Sequence, residues 1–399
     1  MIGAGLAGLH AAWRVHLAGV EVIVLEARDR VGGRTWSQTM ADGTIIERGG
    51  EFIAPDQEVV RGLCAELGLA LSPHGFSFDR RPTPEHAAPT EEQLRATLAA
   101  TRARVTARRG DFPAAEATTD RTAAATSVIR RVETSLTVSL RDASARRLFD
   151  GEDHGYDPAV RVAAGNQAIA SAIADRLAWR VRVRTPVTAV VQDGSDGVEV
   201  RCATGEILTA AVAVVAVPLP LLSALVGTLP PPIAAAASRT GFGDAAKLHV
   251  PLGASACPAA VASPAALWWC WTSSTPGGER STPLLSAFAG GTDAIASVGA
   301  AAGADLWRAQ ALALRPDVVP GSGDAVMTHW GSEPWTRGSY SVPGVGLTPS
   351  DDAAWARPFG SIVLAGEHTA GEQAGTMNGA AASGARAADT ALALLQARG

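Results

Sequence analysis

Nearly continuous apolar runs recur at 20–25, 212–217 and 362–365, each beside a glycine turn or a helical pattern. Such runs predict short strands, and the Val/Ile/Leu-rich run at 20–25 predicts a buried strand of a parallel sheet. The chain opens as turn, helix, strand: glycines at 3, 5 and 8, a helical stretch over 9–18, Gly19 as its stop, then the run ending at Glu26. Residues 361–388 repeat the order strand, turn, helix. Strict alternation at 181–184, 187–191 and 198–201 predicts half-buried strands instead. Asp193-Gly194 and Asp196-Gly197 supply turns between two of them. A glycine turn at Gly165-Asn166 opens an amphipathic helix reaching Leu177. Between 90 and 150 the chain is rich in Ala and Arg, with Leu94, Leu98, Val105, Val128, Val132 and Leu136 at helical spacing, which predicts a helical insertion. Residues 240–335 mix strand-like pieces, Pro/Gly loops and tryptophans, and no internal repeat is present. The class is α/β.

At 399 residues the chain is too long for one simple domain. Its 47% hydrophobic and 18% charged content excludes wholesale disorder. A net charge of −5 without any basic run makes it a poor partner for nucleic acid or an anionic membrane. Residues 207–238 carry no charge, but Pro218, Pro220 and Pro230 to Pro232 break the run. A buried strand, a turn and a proline-capped loop are expected there rather than a membrane span. Neither end carries a lipidation signal, and a motif beginning at residue 3 leaves no room for a signal peptide. Cys64, Cys202, Cys257 and Cys270 form no CxxC pair, which argues against zinc, against any other metal centre and against a disulfide scaffold. A reducing, cytoplasmic setting is expected. Of 34 cationic residues only Lys247 is a lysine.

Gly3-Ala4-Gly5-Leu6-Ala7-Gly8 allows backbone amides at a helix start to approach a pyrophosphate, where a Cβ would clash. Glu26 ends the next strand, where an acid accepts both hydroxyls of a ribose. Only Met1 and Ile2 precede these glycines. The central strand of such a unit is therefore expected to be nearly absent, leaving its neighbours short of hydrogen-bond partners, unless the start is assigned too late.

Arg28-Asp29-Arg30-Val31-Gly32-Gly33-Arg34, directly after Glu26, resembles the signature of the flavin-containing amine oxidase family. The resemblance continues in Glu47-Arg48-Gly49-Gly50-Glu51-Phe52-Ile53, Gly366-Glu367-His368-Thr369 and Gly375-Thr376-Met377-Asn378-Gly379-Ala380. It implies a Rossmann-like FAD-binding domain built from 1–75, 160–238 and 338–399, interleaved with a mixed sheet-plus-helix substrate domain from 76–159 and 239–337. The residues expected at FAD are Gly3, Gly5, Leu6, Ala7, Gly8, Glu26, Ala27 and Arg28, then Gly32, Gly33, Arg34, Gly49, Gly50, Glu51 and Phe52. Val187, Gly366, Glu367, Thr376, Met377 and Asn378 complete them. Arg34 is expected to fork onto the pyrophosphate. The helix beginning near Met377 would aim its positive end at the flavin edge that gains charge on reduction, although the Gly379/Gly384 spacing also suits close helix packing.

Gly241-Phe242-Gly243-Asp244-Ala245-Ala246-Lys247 resembles the family segment whose lysine is bridged by water to flavin N5, so Lys247 is expected to promote reaction with dioxygen. Gly338-Ser339-Tyr340-Ser341 resembles the substrate-side segment. A Cys bonded to the flavin stands at the Ser339 position in monoamine oxidases, which implies non-covalent FAD here. Tyr340 is the second expected catalytic residue. Thr376 occupies the place of a second cage aromatic, leaving the cage incomplete. Phe52, Trp269, Trp335 and Thr376 are the expected substrate pocket. Alternation sends Trp269 to one sheet face and Trp268 with Cys270 to the other, with buried sheet packing as the competing role. Glu152, Asp153, His154 and Tyr156 are candidates for the cavity mouth, with a solvated polar loop as the competing role.

The implied reaction is FAD-dependent oxidation of a C–N bond by hydride transfer to flavin N5, with O2 as acceptor and H2O2 released. An amine substrate, O2 and a homodimer are the expected partners. An L-amino-acid oxidase would need a fixed cation for the carboxylate, with Arg48 and Arg337 as candidates. A flavin-binding protein without catalysis is the other alternative. Ser/His/Asp hydrolysis has no supporting motif.

Overall fold

The computed structural model describes residues 1–150, 155–193, 197–275 and 281–398. A parallel sheet forms the first layer. Val24–Leu25 pairs with Val181–Arg182, and Ala213–Val215 pairs with Ile362–Leu364. The three residues at the chain start join these halves. Ile2 bridges Leu25 on one side and Val215 on the other. Ile2 N donates to Val214 O (2.9 Å), Ala216 N to Ile2 O (2.8 Å) and Gly3 N to Leu25 O (2.8 Å). The expected gap at the centre of the sheet is therefore closed. A strand needs few residues when its neighbours are equally short, because each backbone group needs one partner only.

Helices Leu6–Leu17, Glu58–Leu67, Gln167–Leu177 and Met377–Gln396 cover one face, with Leu9, Ile169, Ile173, Val214 and Val363 in their common core. The first and last of these helices touch through small residues: a Cβ on Gly384 would lie 2.3 Å from Ala7 O. Close packing thus explains that glycine. The other face carries the antiparallel strands Val187–Asp193, Gly197–Cys202 and Ile207–Ala210, with Val190, Val198 and Val200 packed on Ile2 and Leu364. Residues 194–196 of the expected turn lie outside the described residues.

The proline-rich stretch departs from expectation. The expected buried strand is present at Ala213–Val215, but the prolines open two helices, Leu219–Val226 and Pro231–Arg239, rather than capping a loop. Proline suits a first helical turn, where its missing N–H would have no intrahelical partner. Among the described residues no helix is long and apolar enough to cross a membrane.

The second layer is a five-stranded antiparallel sheet in the order Ala259–Ala262, Trp268–Thr272, Leu284–Gly290, Ala245–Pro251, Val326–His329. Leu248, Trp268, Cys270 and Leu285 line its back with Trp307, while Trp269 and Trp271 pack on its front with Phe78 and Ala260. The alternation read from the tryptophan run holds. The helical insertion forms Glu91–Ala107, Ala123–Leu136 and Ala145–Phe149. These helices share a core of Val105, Phe112, Leu140 and Phe149.

Candidate active site

A cavity of about 1020 Å3 is bounded by the first glycine turn, the parallel sheet, the front of the antiparallel sheet and the helical insertion. Gly3, Gly5, Leu6, Ala7, Glu26, Ala27, Arg28, Gly32, Gly33 and Val187 line one end. Gly3 has φ +100°, and a Cβ there would sit 2.8 Å from Ala216 O. A Cβ on Gly5 would meet nothing within 4 Å, so this backbone is open for close approach by a ligand. Gly8 does not line the cavity: its Cβ would fall 2.0 Å from Gly3 O, so this glycine lets the turn fold on itself. The second turn abuts the first through a Gly5–Gly32 bridge.

Glu26 is buried and accepts from Ala4 N (2.8 Å) and Arg28 N (2.9 Å). Each oxygen keeps a lone pair for a hydroxyl. Arg28 donates to Thr336 Oγ1 (2.7 Å) and to Glu333, and its buried Nε has no protein partner. Open backbone at Gly5, an acid ending a strand and an unsatisfied guanidinium nitrogen fit the adenosine diphosphate half of FAD. Trp335 adjoins this end, because Glu333 and Thr336 beside it hold Arg28. It is 37% exposed and lines the cavity.

Arg34 and Glu367 are bound to one another. Arg34 Nη1 donates to Glu367 Oε1 (2.6 Å) and Ser339 O (2.9 Å). Glu367 also accepts from Gly375 N (2.8 Å), Ser341 N and Ser341 Oγ. Burial pushes this carboxyl upward, but Arg34, His368 and Ser341 outweigh it and hold it below its usual range. The pair ties together three segments around the cavity, and at least one Arg34 nitrogen is committed away from the expected pyrophosphate fork.

The C-terminal helix begins at Met377 as expected. Thr376 caps it, accepting from Gly379 N at 2.8 Å, and Thr376, Met377 and Ala380 line the cavity. Asn378 does not line it. Its Oδ1 accepts from Val60 N (3.0 Å) and its Nδ2 donates to Gln373 Oε1 (3.2 Å), so its side chain positions another helix instead of a cofactor.

Lys247 projects from the buried strand Ala245–Pro251. Its Nζ donates to Glu51 Oε2 (2.5 Å) and Gly49 O (3.1 Å) and lies 5.4 Å from the centre of the Trp271 ring. Burial would raise the Glu51 carboxyl, but Lys247, His74 and Arg161 hold it down to about 2. Glu51 lines the cavity with Gly49, Gly50 and Phe52, yet its charge is directed to Lys247.

Phe52, Phe78, Tyr156, Trp269, Phe288 and Tyr340 form an aromatic chamber beside Lys247. Tyr340 donates to Ser135 O, and burial pushes its phenol well above the ordinary range, so it stays neutral. Trp269 stacks on Trp271 (4.2 Å, 25°), carries Arg81 3.5 Å from its ring centre, and lines the cavity. Wall and sheet packing are thus the same role. Sequence reasoning missed Phe78, Phe288 and Arg81. The alternation Phe76-Ser77-Phe78 was the available signal for the first. Glu152, Asp153 and His154 lie outside the described residues, whereas Tyr156 lines the cavity and sits 4.8 Å from Phe78, ring to ring.

Of the two arginines considered for a carboxylate, one serves elsewhere. Arg48 donates to Thr328 Oγ1 (2.8 Å) and Gln38 Oε1 (3.0 Å), stacks 3.6 Å from the Trp36 ring centre, and does not line the cavity. Arg337 is exposed and lines the cavity in the same segment as Trp335.

The sequence model of flavin containing amine oxidoreductases matches residues 6–392. The chain belongs to that family. A 69-residue stretch is 58% identical to putrescine oxidase of Kocuria rosea, covering 17% of this chain and 14% of that one. Another is 42% identical over 69 residues to amine oxidase B of Homo sapiens, 17% of this chain and 13% of the relative. The matched stretches therefore span only a small part of these relatives. Over the whole fold, putrescine oxidase solved with putrescine bound superposes with a TM-score of 0.78 at 23% identity, covering 98% of each chain. Cyclohexylamine oxidase from Brevibacterium oxydans IH-35A gives 0.81 at 21% identity, covering 99% of this flavin-family chain and 98% of that one.

Proposed function

We propose that this family member is an FAD-dependent oxidase of apolar amines. The observation that carries the reading is one cavity joining the glycine turn and Glu26 to Lys247 and an aromatic chamber. Bound FAD would supply the redox chemistry, accepting hydride from the substrate α-carbon at N5 and passing two electrons to O2 to give H2O2.

The protein's own residues bind, orient and exclude water. Gly3 to Ala7, Glu26 and Arg28 receive the adenosine and pyrophosphate, and Arg34 with Glu367 braces the middle of the site. The first turn of the C-terminal helix offers N–H groups, and the helix dipole favours negative charge there. Ser339 has no thiol, and its Oγ is shared with Thr137 Oγ1 at 2.7 Å, which supports non-covalent FAD. The chamber walls take the amine as its neutral form, because transfer of an ammonium into an apolar site is strongly disfavoured. Glu51 is neutralised by Lys247, so it does not serve a second ammonium. This favours monoamines with an apolar body over diamines. Tyr340 presents a neutral aromatic wall, and the remaining Lys247 N–H holds a water for the oxygen reaction.

The domain division is part of the same proposal: 1–75, 160–238 and 338–399 for FAD, 76–159 and 239–337 for substrate. It is supported by one core drawn from three chain pieces and a second centred on the antiparallel sheet. Four free cysteines support a reducing, cytoplasmic setting. A homodimer rests on the family resemblance and is checked by light scattering.

Anaerobic titration with a panel of monoamines, diamines and L-amino acids tests the reading, with peroxide measured on readmission of air. Bleaching by apolar monoamines first, with a rate that rises as the amine deprotonates, is the expected result. A colourless protein that cannot be reconstituted overturns the FAD assignment. A yellow protein that no amine bleaches is a flavin binder without catalysis, and bleaching by amino acids alone makes it an amino-acid oxidase.

A further inference from the structure

We propose that Glu51 is a positioning residue for Lys247, fixing its ammonium in the charged state and aiming one N–H at the cavity. The role in catalysis rests on the flavin oxidase reading; the pairing itself does not. Lys247 is 3% exposed, and a buried ammonium without a counter-charge gives up its proton readily. Of its three N–H groups, one goes to Glu51 Oε2 and one to Gly49 O. The third is left for the cavity that Lys247 lines.

Glu51 is itself anchored. Its Oε1 faces His74 Nδ1 at 3.7 Å and Arg161 Nη1 at 4.0 Å, and Arg161 is pinned by a hydrogen bond to Ser274 O at 2.6 Å. A carboxylate flanked by Lys247 and Arg161 stays ionised. The other groups facing Lys247 supply no competing fixed negative charge. Burial takes His249, on the same strand, and His74 down to about 3, so both are neutral. Arg48 beyond them is cationic. Glu47 is buried, lies beside Glu51, and is pushed up to about 7, so it is the carboxyl that yields its charge first. The register of the lysine strand alone would place Lys247 between Phe288 and Thr328 with no ionic partner.

The only lysine in the chain gives a single signal after 13Cε-lysine labelling. The midpoint of that signal is compared between wild type and Glu51→Gln, with and without flavin. In Glu51→Gln its midpoint should drop by roughly two pH units or more. Flavin reoxidation in that variant should then slow as pH rises through the new midpoint, and Glu51→Asp should restore the flat profile. Equal titration in wild type and Glu51→Gln overturns the proposal. Lys247→Met separates the two readings: unchanged reoxidation there removes Lys247 from the oxygen reaction while leaving the measured pairing intact.

Discussion

Lys247 and Glu51 show how much two side chains contribute when burial removes their alternatives. Replacing Lys247 with Met should slow flavin reoxidation on the order of 10²-fold, the usual cost of deleting a charge-stabilising donor. Retention of FAD should be unaffected, because the hydrogen bonds of Lys247 go to Glu51 and Gly49 and none goes to the Gly3 to Gly8 turn; stopped-flow reoxidation and bound-flavin absorbance measure the two separately. Gly8→Ala is expected to do the opposite. Its Cβ would press 2.0 Å from a backbone oxygen of the same turn, which cannot swing aside. The turn must open, and flavin content per mole of protein should fall. At this level the two glycine turns, Glu26 and Lys247 were legible from residue type and motif. Arg81 was not: nothing in the chain near it announces that it stacks on Trp269, a residue far along the sequence.

The C-terminal helix and the strand bearing Lys247 hold the site between them. Thr376 caps the helix and, by its hydroxyl, also bonds Gln373 O at 2.7 Å. Thr376→Ala should cost about 1 kcal/mol of stability, as cap deletions do, seen as a lower melting temperature. Its position at the cavity should weaken FAD retention as well, measured by dialysis against flavin-free buffer. The start of this helix was readable because Gly375-Thr376-Met377-Asn378-Gly379-Ala380 resembles the family's C-terminal motif. Strand lengths were not. The apolar run at 20–25 predicts six residues, and only Val24–Leu25 is ladder-paired, because its neighbours offer no more partners. The uncharged stretch at 207–238 became two short strands followed by two helices, because proline excludes a helix interior but starts a helix well.

Buried titratable groups give the molecule a pH dependence of folding. Burial lowers His74 and His249 to about 3 and His368 to about 4, against 6.5 in the unfolded chain. Between those values the unfolded state binds more protons, so stability falls as pH drops from about 6.5 toward 3, by just over 1 kcal/mol per pH unit for each histidine. Glu51, held down to about 2, adds a loss below about pH 4.5. Glu47 acts in the opposite direction. Its raised value of about 7 means the folded state binds more protons from about 4.5 to 7, so this group favours folding at acid pH. Three histidines outweigh one glutamate, and the melting temperature should fall from pH 7 to pH 5. A melting temperature that rises over that interval would contradict the buried, neutral state of these rings.

The chain's own order of residues determined the family, the α/β class, the glycine turns, the helical insertion and the facing of the tryptophan strand, because each depends on contacts within one or two elements. Tertiary structure alone decided which of those residues meet. It closed the sheet through Met1 to Gly3, turned Asn378 away from the cavity, and joined Glu51 to Lys247 across 196 positions. Such pairings depend on the packing of separated segments and on the burial that makes a counter-charge necessary, and neither is visible in local pattern.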